Sequence, residues 1–187
     1  MRKHHSALGG VALALALTLS GCGDDDTEPK GQETPSETPS PTASSTPTPK
    51  TPEEKAAAQL VAYLDVRDDA FRAATIEFKR LNKVATGREF LNVQQNVSGI
   101  ERSGSKVTGE YVHTLGEPSQ RADDLILITD CEDRTAVKRT KDGKPVPDQK
   151  DPEGNPLRNP VPIEYELVLD KGRWLVTSSN VLWDEPC

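Results

Sequence analysis

Ile163-Glu164-Tyr165-Glu166-Leu167-Val168-Leu169-Asp170 decides the fold class. Ile163, Tyr165, Leu167 and Leu169 alternate with Glu164, Glu166 and Asp170, which is the period of a strand with one face buried and one wet. Lys171-Gly172 then predicts a turn into a last strand, Trp174 to Trp183. Upstream, residues 141 to 162 hold six prolines and almost nothing apolar, so they read as a long loop between strands. Before that loop, Leu125-Ile126-Leu127-Ile128 is a buried-looking run continuing toward Cys131. Ala136 to Thr140 carries it on after a bulge or turn at Glu132-Asp133-Arg134. Val107 to Thr114 is a further strand, bounded by Gly116-Glu117-Pro118.

The chain before Lys106 has the helical period instead. Thr51-Pro52-Glu53-Glu54 is a helix start: Thr51 caps, Pro52 suits the first helical position, and Glu54 completes a capping box. Leu60, Leu64, Phe71, Ala74, Phe78 and Leu81 recur near one face at a 3.6 period. They predict a helix to about Lys83 with Gly87 as its stop, or two helices broken near Asp65 to Asp69. Phe90, Leu91, Val97 and Ile100 predict a second helix from Arg88 to Arg102, ended by Ser103-Gly104. Helices first and antiparallel strands second is an α+β order, with helices packed on one face of a sheet.

Farther out, the N-terminus reads as an address. Arg2 and Lys3 precede thirteen apolar or small residues, Ala7 to Leu19, then small residues and a cysteine. This is the layout of an export signal, too short to span a bilayer. Leu19-Ser20-Gly21-Cys22 resembles a bacterial lipobox, which implies removal of residues 1–21 and acylation of Cys22. Seven of fifteen prolines fall in residues 23–52, among Thr, Ser, Glu and Lys. Such a segment buries too little surface to offset its ordering entropy, so residues 22–52 are expected to be a disordered tether. The folded domain is then 53–187.

The chain has 187 residues and a net charge of −7; without Arg2 and Lys3, 21 basic residues face 30 acidic ones, a net −9. That balance argues against nucleic acid as a partner. With Cys22 acylated, Cys131 and Cys187 remain, and in an oxidising compartment they are expected to pair. Their spacing is not the Cys-x-x-Cys of an exchange motif. His113 is the one histidine beyond the leader and is expected at the surface, so no metal set is read and no cofactor fingerprint appears. Asp148, Asp151, Glu153 and Asn155 depart from calcium-loop spacing. Asp130 and Asp133 are read as turn caps, and Lys138, Arg139, Lys141 and Lys144 as a solvated basic edge.

The lipobox, the Thr/Pro tether, the capped Ala-rich helix, Thr129-Asp130-Cys131-Glu132-Asp133, Gly172-Arg173-Trp174-Leu175-Val176 and the C-terminal cysteine together resemble actinobacterial NTF2-like lipoproteins (the SnoaL-like superfamily). The resemblance spans 53–187. It implies a cone, with helices in the concave face of a strongly curved antiparallel sheet and a pocket between them. Tyr63, Phe71, Trp174 and Trp183 are the candidate pocket residues. The superfamily holds enzymes and non-catalytic domains, so fold constrains function poorly. The expectation is a non-catalytic binding or scaffold domain, lipid-anchored outside the bacterial cell membrane, taking a small apolar ligand or a cell-envelope protein. The family also implies a homodimer. The alternative is an isomerase- or cyclase-like enzyme using Asp130 or Tyr63, and a carboxylate with a raised pKa in an apolar cavity would favour it.

Overall fold

The structure is a computed structural model that describes residues 51–147, 150–151 and 153–187. The expected leader 1–21, the expected acylation site Cys22, the expected tether up to residue 50 and Asp148 lie outside the described residues. Helix α1, Pro52–Ala73, starts on the expected capping box. Thr51 Oγ1 accepts from the Glu54 N–H at 3.2 Å, and Glu54 Oε2 accepts from the Thr51 N–H at 3.1 Å. The break comes later than Asp65–Asp69. Ala74 turns left-handed (φ 50°), its N–H bonding back to Ala70 and Phe71, and a short helix α2, Phe78–Leu81, follows. The apolar period crosses this break because Leu81 returns to the same core, fully buried, while Phe78 stays half exposed.

Helix α3, Gly87–Ser103, is closed by left-handed Gly104 as expected. Gly87, however, begins α3 rather than ending the first helix. Its φ is +56°, and a Cβ there would lie 2.8 Å from Thr177 Oγ1, so both conformation and space select glycine.

Among the described residues the strands that follow are β1 Lys106–Thr108, β2 Val112–Leu115, β3 Ser119–Ala122, β4 Leu125–Asp133, β5 Lys138–Lys141, β6 Lys144–Pro145, β7 Val161–Asp170 and β8 Arg173–Val181. The main antiparallel sheet runs β2-β4-β7-β8, with β3 pairing the first half of β4. The expected strand Val107–Thr114 is divided between sheets, since β1 pairs β5, and β5 pairs β6, in a small second sheet. Gly109 makes the division: at φ +87°, a Cβ would sit 2.0 Å from the Ala136 carbonyl oxygen. The strands β3 and β6 were not legible, the first being short and polar, the second two residues inside the proline-rich loop. Lys171 (φ 49°) and Gly172 (φ 79°) form the predicted β7–β8 turn, both left-handed as a two-residue hairpin of this hand requires.

The helices pack on the inner face of this curved sheet, the α+β cone expected. Leu60 and Leu64 of α1 and Val93 and Val97 of α3 meet Ile126, Ile128, Tyr165, Leu167 and Val176. The edge of β8 is tied to the segment before α3, where Thr86 N–H donates to Val176 O and Val176 N–H to Val84 O. Cys131 and Cys187 are disulfide-bonded, with Cα atoms 5.7 Å apart, which pins the C-terminus to β4. Among the described residues no helix is long and apolar enough to cross a membrane.

Candidate functional site

Strand β4 has a strictly alternating burial pattern, and its inward positions read Ile126, Ile128, Asp130, Glu132. The strand thus changes from aliphatic to acidic halfway along one buried face. Helix α1 answers in kind. Leu60, Leu64, Arg67 and Phe71 fall on one stripe, so Arg67 enters the core where spacing calls for an apolar residue.

Arg67 is 6% exposed and organises the charged end. Its Nε and Nη2 donate to Asp68 Oδ1 at 2.9 and 2.8 Å, and its Nη1 donates to the Tyr165 hydroxyl oxygen at 2.7 Å. Nη2 also donates to Glu132, whose other oxygen accepts from Arg134. The guanidinium carbon lies 5.7 and 5.6 Å from the ring centres of Phe71 and Tyr111, a distance at which cation and ring attract.

His113 joins the same network, a correction to its expected surface position. Its Nε2 is 3.0 Å from Asp68 Oδ2 and its Nδ1 is 2.6 Å from Asp130 Oδ2. Burial favours the neutral ring, but the bonds to Asp130 and Asp68 outweigh it and push the pKa up to about 9. His113 is therefore cationic at neutral pH and donates from both nitrogens. Burial alone would raise the carboxyl groups of Asp68 and Glu132. Asp68 is instead held below its ordinary range by His113 and Arg67, and Glu132 by Arg67 and Arg134.

Asp130 is consequently no turn cap. It is fully buried within β4, and its Oδ1 has no hydrogen-bond partner among the described residues. Asp133 does cap the turn, accepting from the Thr135 N–H and hydroxyl and from Asn159 Nδ2.

A cavity of about 430 Å³ opens between α1, α3 and the sheet. Arg67, Glu132, Tyr165, Glu89 and Ser179 give it polar lining, and Val93, Ile100, Val107, Ile163 and Val181 apolar lining. Glu89 is a second charge on an apolar helical stripe, with Val93, Val97 and Ile100. It accepts from the Tyr63 hydroxyl, from Ser179 Oγ at 2.7 Å and from Asn92 Nδ2 at 3.1 Å.

Of the four candidate pocket residues, only Phe71 lines this cavity. Tyr63 is fully buried and absent from the lining, its hydroxyl donating to Glu89, and burial raises its pKa well above the ordinary value. Trp174 belongs to the core at 5% exposure. Trp183 is 39% exposed and lines a separate groove with Leu157, Pro156 and Asp151. In that region Asp151 accepts from the Asn155 N–H and Nδ2, an internal turn. Arg139 of the basic cluster stands exposed at the cavity mouth.

His113, Asp130 and Glu132 bring ligand atoms within 4.8 Å of one another, close enough in spacing for a metal ion. The chemistry fits poorly, because both Glu132 oxygens accept from arginines and both His113 nitrogens are bonded to aspartates. A cation there would have to displace those donors.

Neither a family model nor a curated protein matches the chain. Distantly similar solved structures include the intermembrane-space region of chloroplast protein ARC6. It is 15% identical with a TM-score of 0.45, over 73% of this chain and 100% of that one. The protein Rd1NTF2_05, in a substituted form, is 12% identical with a TM-score of 0.35, over 68% and 98% of the two chains. A de novo designed β-sheet protein solved by NMR is 12% identical with a TM-score of 0.31, over 70% and 88%. Likeness at this level carries no functional argument, so the site must speak for itself.

Proposed function

We propose that this chain is a lipid-anchored NTF2-like lipoprotein of actinobacterial type, whose cone binds a small molecule without converting it. The cavity carries the reading: it combines an apolar wall with a charged floor whose members already hold one another. Its volume falls within the range of ligand sites, about 300–1,000 Å³. An isomerase- or cyclase-like enzyme would need a carboxylate poised to take a proton near neutral pH. Glu132 and Asp68 are shifted the other way, toward the ionised form, and His113 is doubly engaged. These features favour binding over proton transfer, and the polar floor makes the fitting ligand amphipathic rather than wholly apolar. Anchoring through Cys22 on the outer side of the membrane, with the tether as spacer, completes the proposal.

Gly99 offers a clean test. It lines the cavity from α3, and a Cβ there meets no atom within 4 Å. Gly99→Leu therefore fills space without a backbone clash and raises helix propensity. Full-length protein extracted from membranes should carry a small molecule, detected by mass spectrometry, that the Gly99→Leu protein loses while its Tm holds or rises. Equal loads in both proteins would refute cavity binding. Cys22→Ser should release the protein from the membrane fraction, and its retention there would refute the anchor.

A further inference from the structure

The floor of the cavity has hydrogen-bond donors that no acceptor among the described residues takes up. Tyr165 is 1% exposed, and its oxygen accepts from Arg67 Nη1. Its own hydroxyl hydrogen finds no acceptor among the described residues. Arg67 has five N–H groups. Those on Nε and Nη2 go to Asp68 and Glu132 and one on Nη1 to Tyr165, which leaves one Nη1–H. The Tyr111 hydroxyl, on the same cavity wall, makes no hydrogen bond among the described residues either. Buried donors without partners cost free energy, so a site that keeps them is built to meet an acceptor.

The charge around these donors selects the kind of acceptor. Arg67, Arg134 and His113 face Asp68, Asp130 and Glu132, three cations against three carboxyl groups. The floor is already balanced, and Glu89, bonded to Ser179 next to Tyr165 in the sheet, adds a further carboxyl group to the lining. An entering carboxylate would meet Glu132 and Glu89 beside floor cations that are already paired, while Arg139, which also lines the cavity, is exposed to solvent. A neutral oxygen would take the free hydrogens without that repulsion.

We infer that Tyr165 and Arg67 form a subsite for a neutral carbonyl-type oxygen at the buried end of an otherwise apolar ligand. This rests on the cavity-binding reading above and specifies its ligand class.

The test uses matched neutral and anionic probes on the full chain at pH 7: acetophenone with benzoate, cyclohexyl methyl ketone with cyclohexanecarboxylate, and methyl naphthyl ketone with naphthoate. Binding is followed by NMR through the methyl signals of Val93, Val107 and Ile163, which line the cavity. At least one ketone should bind about tenfold more tightly than its carboxylate partner. Tyr165→Phe, which keeps the ring, should remove most of that preference. Carboxylates binding as tightly as ketones would overturn the inference while leaving cavity binding intact. If Tyr165→Phe unfolds, the wild-type ketone-to-carboxylate ratio decides alone. Methyl signals unmoved by all six probes would overturn both readings.

Discussion

Ile126 and Ile128 hold the inward face of β4 at one end, and Asp130 and Glu132 hold it at the other. All four are at most 1% exposed, and the same strand presents them with the same alternation. The aliphatic end gains stability from every apolar area it removes from water and asks no particular geometry of its neighbours. The acidic end is stable only because Arg67 comes to it from α1, His113 from β2 and Arg134 from the turn after β4. One end builds the core, and the other leaves a cavity with polar walls. A strand can thus do both when its partners are divided in the same way: α1 supplies Leu60 and Leu64 to the first half and Arg67 and Asp68 to the second.

If the charged end depends on mutual pairing, removing its hub should be costlier than trimming the apolar end. Arg67→Ala strands Asp68 and Glu132 in the interior and should cost about 5 kcal/mol in denaturant unfolding, the upper part of the range for a broken buried pair. A loss near that of a surface substitution would mean the carboxyl groups relax into solvent.

The disulfide acts on the outward face of the same acidic half, through Cys131. It closes 56 residues, so Cys131→Ser with Cys187→Ser should lower stability by about 4 kcal/mol in the chain-entropy model. Hydrogen exchange should then quicken at 130–133 before 125–128, and uniform quickening would erase the distinction between the halves. At the apolar end, Ile128→Val should cost only about 1 kcal/mol.

The pH-dependent effect is a change of slope. The folded His113 pKa of about 9 lies above its ordinary 6.5, so its stabilising contribution is fully present below the lower value. It is lost as pH rises through about 9. His113→Gln should flatten the stability curve between those two values and weaken the part of the acid limb due to Asp68, leaving the part due to Glu132 in place. An unchanged alkaline slope would show that the ring is not held between the two aspartates.

Much of this was legible before any coordinates. The capping box at Thr51, the β7 alternation, the Lys171-Gly172 turn and the Cys131–Cys187 pairing are local or compositional signals, and the structure repeats them. The site was legible only as a disturbance. Arg67 interrupts the stripe of Leu60, Leu64 and Phe71, Glu89 that of Val93 and Val97, and Asp130 and Glu132 continue the register of Ile126 and Ile128. Reading a charge on an apolar face as a buried partner, rather than as a cap or solvated group, would have found all four.

The sequence by itself determined the element types, the hairpin turn and the half-buried face of each long strand, because periodicity and turn chemistry act over a few neighbouring residues. Only the tertiary structure decided which charges meet. Arg67 and Glu132 are 65 residues apart, Arg67 and Tyr165 98, and Tyr63 and Glu89 26. A buried charge takes its meaning from the partner that compensates it, and at such separations that partner is chosen by how helices and sheet pack.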